Sequence, residues 1–400
     1  MSKKKCSIGI FTGSSITSFG GAERGAIELS NELIRRNLDV IIFSANTKSH
    51  VNIPISEVKK ICLAKIVRFN TLPTRFGPIF PLFGLDDLRE ISRLTTIYNI
   101  DESLFTGLFL LLFSKMWKIK YIYGMHIPES FLFSNSAGQS TFKKKMWFLY
   151  RVPLRVFFKE FVTNVHVINN DQKKRLENLR FHGDINLIPD FVYRDSRDIF
   201  FNSEEFHVLF TGALSIGVKG IDLLARVIRA TLEKESGIKF FIAGPPSDGK
   251  EIIKEIAEMY PHNVLYMGFV SEAELTVLHE DSSLFVFTSR VDSFSLGIVW
   301  AQSYGLPCVA FDIPGPRDII MSAGQGSLVE TFNVDNFASE IIKFYSLWHK
   351  NRSEYFSLRL EIQRKIYDRL GRNIILPKMI NMLCNNSNSS QTKSELHPSL

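Results

Sequence analysis

The chain has 400 residues, 45% of them hydrophobic and 22% charged, with a mean hydropathy of +0.03. At roughly 150 residues per domain this allows two or three domains with a sizeable core, which excludes a disulfide-stapled miniature scaffold and a largely disordered chain. The net charge of +7 is uneven, +11 over residues 1–200 and −4 over 201–400, so the first half either meets an anionic partner, nucleic acid or an acidic lipid surface, or carries a merely solvated basic face.

Met1-Ser-Lys-Lys-Lys is followed by only a short apolar stretch, Cys6 to Phe11, before Thr12-Gly13-Ser14-Ser15, and this is not the layout of an export signal. Cys6, Cys62, Cys308 and Cys384 lie far apart without a C-x-x-C pair, so neither a zinc site nor a disulfide framework is expected, and a reducing cytoplasm fits best. Strands are predicted at Cys6 to Thr12, Val40 to Ser44, Tyr121 to Met125, Val165 to Ile168 and Ile185 to Ile188. Between the first two, Ile27, Leu29, Leu33 and Ile34 fall on one face of a helix and complete a βαβ unit. The apolar run Leu104 to Phe113 is too short to span a membrane and reads as a buried helix.

A charged stretch without clear period, about Tyr193 to Phe206, predicts an inter-domain hinge. Beyond it strands are expected at Val208 to Thr211, Phe240 to Ala243, Val264 to Met267, Leu284 to Thr288 and Cys308 to Phe311, each separated by helical sequence. The expected architecture is α/β, with two doubly wound Rossmann-like domains facing across a cleft. The first covers 1–195 and is completed by a returning helix at 372–384, the second covers 196–371, and 385–400 is a polar, disordered tail.

Several chemistries are excluded by pattern. No strand runs into G-x-G-x-x-G with an acidic residue on the next strand, which argues against a nicotinamide dehydrogenase. Gly212-Ala-Leu-Ser-Ile-Gly217-Val218-Lys219 misses a P-loop, because Val218 separates glycine from lysine and Gly220 stands where Ser or Thr is needed. No Ser-His-Asp array or metal-spaced histidine cluster is visible. Two loops remain where backbone amides could meet phosphate. One is the Gly20-Gly21 pair between the first strand and first helix, at the carboxyl edge of the sheet. The other is the loop from Thr288 into a helix starting near Ser295, whose first N–H groups and dipole favour an anion beside Asp292.

Together these residues resemble family 4 of the retaining glycosyltransferases, with the two-domain GT-B fold, over Ser7 to about Leu383. The markers are Gly20-Gly21-Ala22-Glu23-Arg24, His126 ending Tyr121-Ile-Tyr-Gly-Met-His, Thr211-Gly212-Ala213-Leu214 leading to Lys219-Gly220, and Val264-Leu-Tyr-Met-Gly268-Phe-Val. The Asp292-Ser-Phe loop with Gly305-x-Pro307, and Gly315-Pro316-Arg317-Asp318, complete the set. The resemblance implies a nucleotide-sugar in the C-terminal domain, an acceptor in the N-terminal domain and no metal. Lys219 would neutralise the donor diphosphate, with Gly20, Gly21 and Gly212 beside it. His126 would hydrogen-bond a sugar hydroxyl, Asp292 would contact the sugar ring, and the amides around Ser295, Leu296 and Gly297 would complete the phosphate cradle.

The chain departs from this family twice. Ala213 stands where a second cation is usual, and Trp300 where a ribose-binding glutamate is usual, although an indole N–H cannot accept from a hydroxyl. The expected function is therefore transfer of a sugar to a glycan or lipid-linked acceptor in cell-surface polysaccharide or glycoconjugate synthesis, with a degenerate binding or scaffold protein as the alternative. Lys143 to Lys159 combines cations with Trp147, Phe148, Phe157 and Phe158, either as an interfacial helix on an anionic membrane or as a core helix with a basic face. Nucleic acid is a weaker partner, since no nucleic-acid module accompanies the charge.

Overall fold

The computed structural model describes residues 6–18, 21–47, 54–73, 79–100, 104–126, 156, 159–196, 198–199, 204–320 and 325–385. The first half builds β1 (Ser7–Thr12), β2 (Asp39–Ala45), β3 (Lys65–Pro73), β4 (Ile79–Leu82), β5 (Thr96–Asn99), β6 (Lys120–Met125), β7 (Asn164–Val167) and β8 (Asp184–Leu187). They form one sheet in the order β4-β3-β2-β1-β5-β6-β7-β8, parallel throughout except for the antiparallel β3/β4 pair. The second half builds β9 (Phe206–Thr211), β10 (Ile238–Ala243), β11 (Val264–Gly268), β12 (Leu284–Phe287), β13 (Cys308–Phe311) and β14 (Gly326–Val329). These run all parallel in the order β11-β10-β9-β12-β13-β14.

Both sheets are doubly wound. The chain leaves β1 for β2 on one side and later returns to β5 on the other, and the second sheet does the same at β9 and β12. Neighbouring loops diverge at such a switch point and leave a crevice at the carboxyl ends of the strands. The loops that follow β1, β9 and β12, all singled out in the sequence, open there.

Eight helices matter to the site: α1 (Gly21–Arg35), α2 (Leu104–Met116), α3 (Asn170–Asn178), α4 (Ile216–Lys219), α5 (Glu272–Asp281), α6 (Leu296–Ser303), α7 (Arg352–Leu370) and α8 (Arg372–Cys384). In α1 the buried Ile27, Leu29 and Leu33 pack with Ile8 and Ile10 of β1, in an apolar cluster that also takes in Phe294 and Ile298 from the second half and Met379 and Leu383 from α8. Burial of that shared surface holds the two halves together. The last helix returns to the first sheet, where Thr96 Oγ1 donates to the Leu383 carbonyl and Lys120 Nζ to that of Met382, each at 2.7 Å.

Three sequence expectations change. Cys6 and Cys384 form a disulfide with Cα atoms 5.8 Å apart, although 378 positions separate them. Linear spacing could not show this, because only the return of α8 to the start of β1 brings them together. The helix over Leu104 to Phe113 is not buried all round: Thr106, Leu110 and Ser114 face the sheet, while Leu108 and Leu112 are exposed. Four strands, β3, β4, β5 and β14, were not anticipated; β3 runs nine residues, whereas β5 has four, all buried, and too few positions to display a period. The segment Lys143 to Lys159 lies outside the described residues except at 156 and 159, and the tail lies outside them beyond Asn385.

Candidate active site

On the C-terminal wall of the cleft, β9 ends at Thr211, Gly212 follows with a φ of +154° that suits glycine, and the chain enters α4, which carries Lys219 at its end. Gly220 follows in the left-handed region at φ +65°. A Cβ there would lie 2.2 Å from the Thr288 carbonyl oxygen, so only glycine lets Lys219 approach the loop after β12 so closely. Lys219 Nζ lies 2.9 Å from Asp292 Oδ2, and both side chains are half-buried.

Asp292 has a second task. Its Oδ1 accepts from the amides of Phe294 at 3.1 Å and Ser295 at 2.6 Å, which fixes the turn into α6. This alters the expected phosphate cradle: the Ser295 amide is occupied by Asp292 and is not available to an anion. Leu296 and Gly297 begin α6 proper, and first-turn amides of a helix have no intrahelical partner, so of the expected cradle those two amides remain at this end.

On the N-terminal wall, α1 begins at Gly21, and a Cβ built there would come 3.9 Å from Leu296 Cδ1, so this glycine faces the start of α6. Gly20 lies outside the described residues. His126 directly follows β6. Its carbonyl accepts from Ser293 Oγ at 2.8 Å, and the Ser293 carbonyl accepts from Asn169 Nδ2 at 2.6 Å. The residue next to Asp292 is thus tied to His126 across the cleft. The structure brings Gly21, His126, Lys219, Asp292, Leu296 and Gly297 to one crevice, with Gly212 beneath the stem of Lys219.

The two walls differ in protonation. Burial pushes His126 down to about 3, with His166 adding to the effect, and burial takes His166 down to about 4. Both imidazoles are neutral at ordinary pH. Asp190, beside a cavity of about 20 Å³ that His126 and Tyr98 also line, is raised to about 7 by burial. Among the described residues, no group of three His, Cys, Asp or Glu side chains could hold a metal ion.

Trp300, the second departure from the family pattern, is more than a packing residue. The Arg24 guanidinium lies 3.9 Å from the centroid of its ring, and Arg24 also donates to Glu272 Oε1 at 2.7 Å. Arg194 reaches the same Glu272 oxygen at 2.8 Å. These two arginines and Glu272 were not identified as site residues, although Arg24 stands inside the first glycine-rich marker. Beside them a polar cavity of about 610 Å³ opens among Glu28, Arg35, Arg194, Glu272, Thr276 and Arg372.

Two Rossmann-like domains facing across this crevice, with the last helix returning to the first domain, make the fold GT-B. Residues 193–357 match the family model described as glycosyl transferases group 1. Over 130 residues the chain is 32% identical to a poly(ribitol-phosphate) alpha-N-acetylglucosaminyltransferase of Staphylococcus aureus (strain COL), covering 32% of this chain and 26% of that one. Over 137 residues it is 28% identical to a GDP-mannose:cellobiosyl-diphosphopolyprenol alpha-mannosyltransferase of Xanthomonas oryzae pv. oryzae (strain PXO99A), covering 34% and 36%. The chain therefore spans well under two thirds of either relative. The crystal structure of a variant of S. aureus TarM, in complex with fondaparinux, alpha-GlcNAc-glycerol and UDP, superposes with a TM-score of 0.68 at 16% identity, over 95% of this chain and 100% of that one. Among the described residues, no helix is long and apolar enough to cross a membrane.

Proposed function

We propose that the protein is a retaining, metal-independent hexosyltransferase that moves a sugar from a nucleotide-sugar to a glycan or lipid-linked acceptor in the synthesis of a cell-surface polysaccharide or glycoconjugate. The observation that carries this reading is the Lys219–Asp292 pair at the mouth of α6, joined through Ser293 to His126 on the opposite wall. Breaking the bond from the anomeric carbon to the diphosphate oxygen leaves negative charge on the phosphate and oxocarbenium character on the sugar. Lys219 and the Leu296 and Gly297 amides stabilise the first, fixed in place before the charge develops. Asp292 Oδ2 and His126 meet the sugar.

Asp292 is not held as a free nucleophile, since it is engaged with Lys219 and two amides. In the proposed step the acceptor hydroxyl attacks from the face the phosphate is leaving and gives its proton to the departing phosphate oxygen, so configuration is retained and no separate base is used. The acceptors in the names of the two relatives, a polyol phosphate polymer and a diphosphopolyprenol-linked sugar, are anionic and suit the +11 charge of the first half. Residues 143–159 would meet an anionic lipid surface at the cytoplasmic face of the membrane. Changing Lys143, Lys144 and Lys145 to Glu should then release the protein from anionic vesicles, and unchanged binding removes that part of the reading.

The test is a thermal-shift screen against a panel of nucleotide-sugars, in which a donor at 100 times its Kd adds roughly 2.7 kcal/mol of stability. With the responding donor, turnover should survive EDTA and the product should keep the anomeric configuration. Absence of any donor response at millimolar concentration overturns the enzyme reading. Activity lost to EDTA and restored by manganese overturns metal independence, and an inverted product overturns retention.

A further inference from the structure

His126 belongs to a hydrogen-bonded chain whose proton positions follow from chemistry. Tyr98 on β5 and His166 on β7 flank β6 on either side, and parallel registers place Tyr98 opposite Ile122 and His166 opposite Gly124. Ile122, Gly124 and His126 alternate onto the same face as both partners. Gly124 makes the contact possible, since a Cβ there would lie 2.9 Å from Tyr98 Cε2 and 3.1 Å from His126 Cδ2. The Tyr98 hydroxyl is 2.6 Å from His126 Nε2 and 2.6 Å from His166 Nδ1, and His166 Nε2 is 2.7 Å from the Ile188 carbonyl oxygen.

A carbonyl oxygen only accepts, so His166 Nε2 carries the hydrogen. Buried and neutral, His166 then has a lone pair on Nδ1, and the Tyr98 hydroxyl must donate to it. Its proton spent, the Tyr98 oxygen accepts from His126, whose hydrogen is therefore on Nε2. We infer that Tyr98 and His166 are positioning residues which hold His126 in the Nε2–H tautomer, leaving Nδ1 as a hydrogen-bond acceptor for a hydroxyl or amide N–H of the transferred sugar. Among the described residues no hydrogen bond is made by that Nδ1. Burial of both imidazoles supports the neutral state on which the chain depends.

In this arrangement His126 does not protonate the leaving group, because its one hydrogen points away toward Tyr98. It reads a donor group on the sugar and presents a lone pair to it. The order of donors is set from the far end, by the Ile188 carbonyl, more than 20 positions from His166 in sequence. The catalytic consequence rests on the glycosyltransferase reading; the tautomer does not.

Histidine side-chain nitrogens of uniformly labelled protein, observed through two-bond proton–nitrogen correlations, test this directly. The wild type should show His126 and His166 both hydrogenated on Nε2 and bare on Nδ1. In Tyr98→Phe, His166 should keep its tautomer through Ile188, while His126 should shift to a mixture. With a working donor, the same variant should lose about tenfold in kcat with little change in the donor KM. His126 hydrogenated on Nδ1 in the wild type overturns the inference without any variant being needed, as does an unmoved His126 in folded Tyr98→Phe. Correct tautomers in a protein that binds no nucleotide-sugar would leave the relay standing and sink the proposed function alone.

Discussion

The two walls of the cleft handle polar groups in opposite ways. The C-terminal wall keeps its charges: Lys219 and Asp292 are half-buried, ion-paired at 2.9 Å and set against a helix start that is itself electropositive. Around His126 the N-terminal wall suppresses charge, because burial holds His126 and His166 neutral and Asp190 largely protonated below about pH 7. A fixed cation at a partly solvated site is suited to a leaving diphosphate, which brings its own negative charge. A neutral, oriented hydrogen-bond array is suited to a sugar, where a free charge would be costly and poorly directional. In the proposed function one binding event is divided between an electrostatic wall and a geometric one.

The sharpest way to break this division is Lys219→Ala. If the cation acts chiefly on the departing diphosphate, and Ala213 supplies no second one, the loss should be about 3 kcal/mol of transition-state stabilisation, or more than a hundredfold in kcat/KM with the matched donor. Steady-state kinetics with that donor decides it, and a loss below tenfold would put the charge work elsewhere. His126→Ala, on the neutral wall, should lower turnover while calorimetry finds nucleotide binding nearly intact.

The neutral wall is tested by pH. His126, His166 and also His279 have folded pKa values depressed to between about 3 and 4 by burial, below the 6.5 of a free imidazole. Their contribution to stability is present above pH 6.5 and lost as pH falls toward 4, because the unfolded chain binds protons the folded one refuses. Asp190 runs the other way: raised to about 7, it contributes below its unfolded pKa near 4 and loses that contribution as pH rises through about 7. Three histidines against one aspartate leave the unfolded state ahead by about one and a half protons between pH 5 and 6, so stability should fall by roughly 2 kcal/mol as pH drops from 6 to 5. Denaturant unfolding at stepped pH should show the slope, with stability levelling off above about pH 7. A flat profile would mean that these imidazoles are hydrated.

The smallest effect concerns Trp300. Trp300→Glu places a carboxylate under Arg24, whose guanidinium now lies 3.9 Å from the ring centroid, so the new charge has a partner. Donor affinity should rise by about fivefold, the value of one added hydrogen bond of ~1 kcal/mol to the ribose hydroxyls. Unchanged or weaker binding by calorimetry, in a folded variant, would show that the ribose is held away from position 300.

Much of this molecule was legible in its sequence. Alternating apolar strands and amphipathic helices defined two doubly wound halves, because parallel strands buried on both faces must be apolar throughout and their crossover helices must carry an apolar stripe. The glycine-rich turn at Gly21, the loop at Lys219-Gly220 and the Asp292 turn could be placed at strand ends for the same reason. Short or interrupted strands such as β5 were not legible, since four residues carry no period.

Tertiary structure alone decided how those pieces meet. Tyr98, His126 and His166 are scattered over 69 positions and become a chain only because β5, β6 and β7 lie side by side. Cys6 and Cys384 join only because α8 returns to β1, and Arg24 stacks on Trp300 only because the first turn of α1 crosses to α6. That Asp292 takes the Ser295 amide for itself was equally hidden, because a short carboxylate before a helix can serve a ligand or its own backbone. Local periodicity is written by nearest neighbours along the chain, whereas hydrogen-bond partners are chosen among all groups that burial brings within reach.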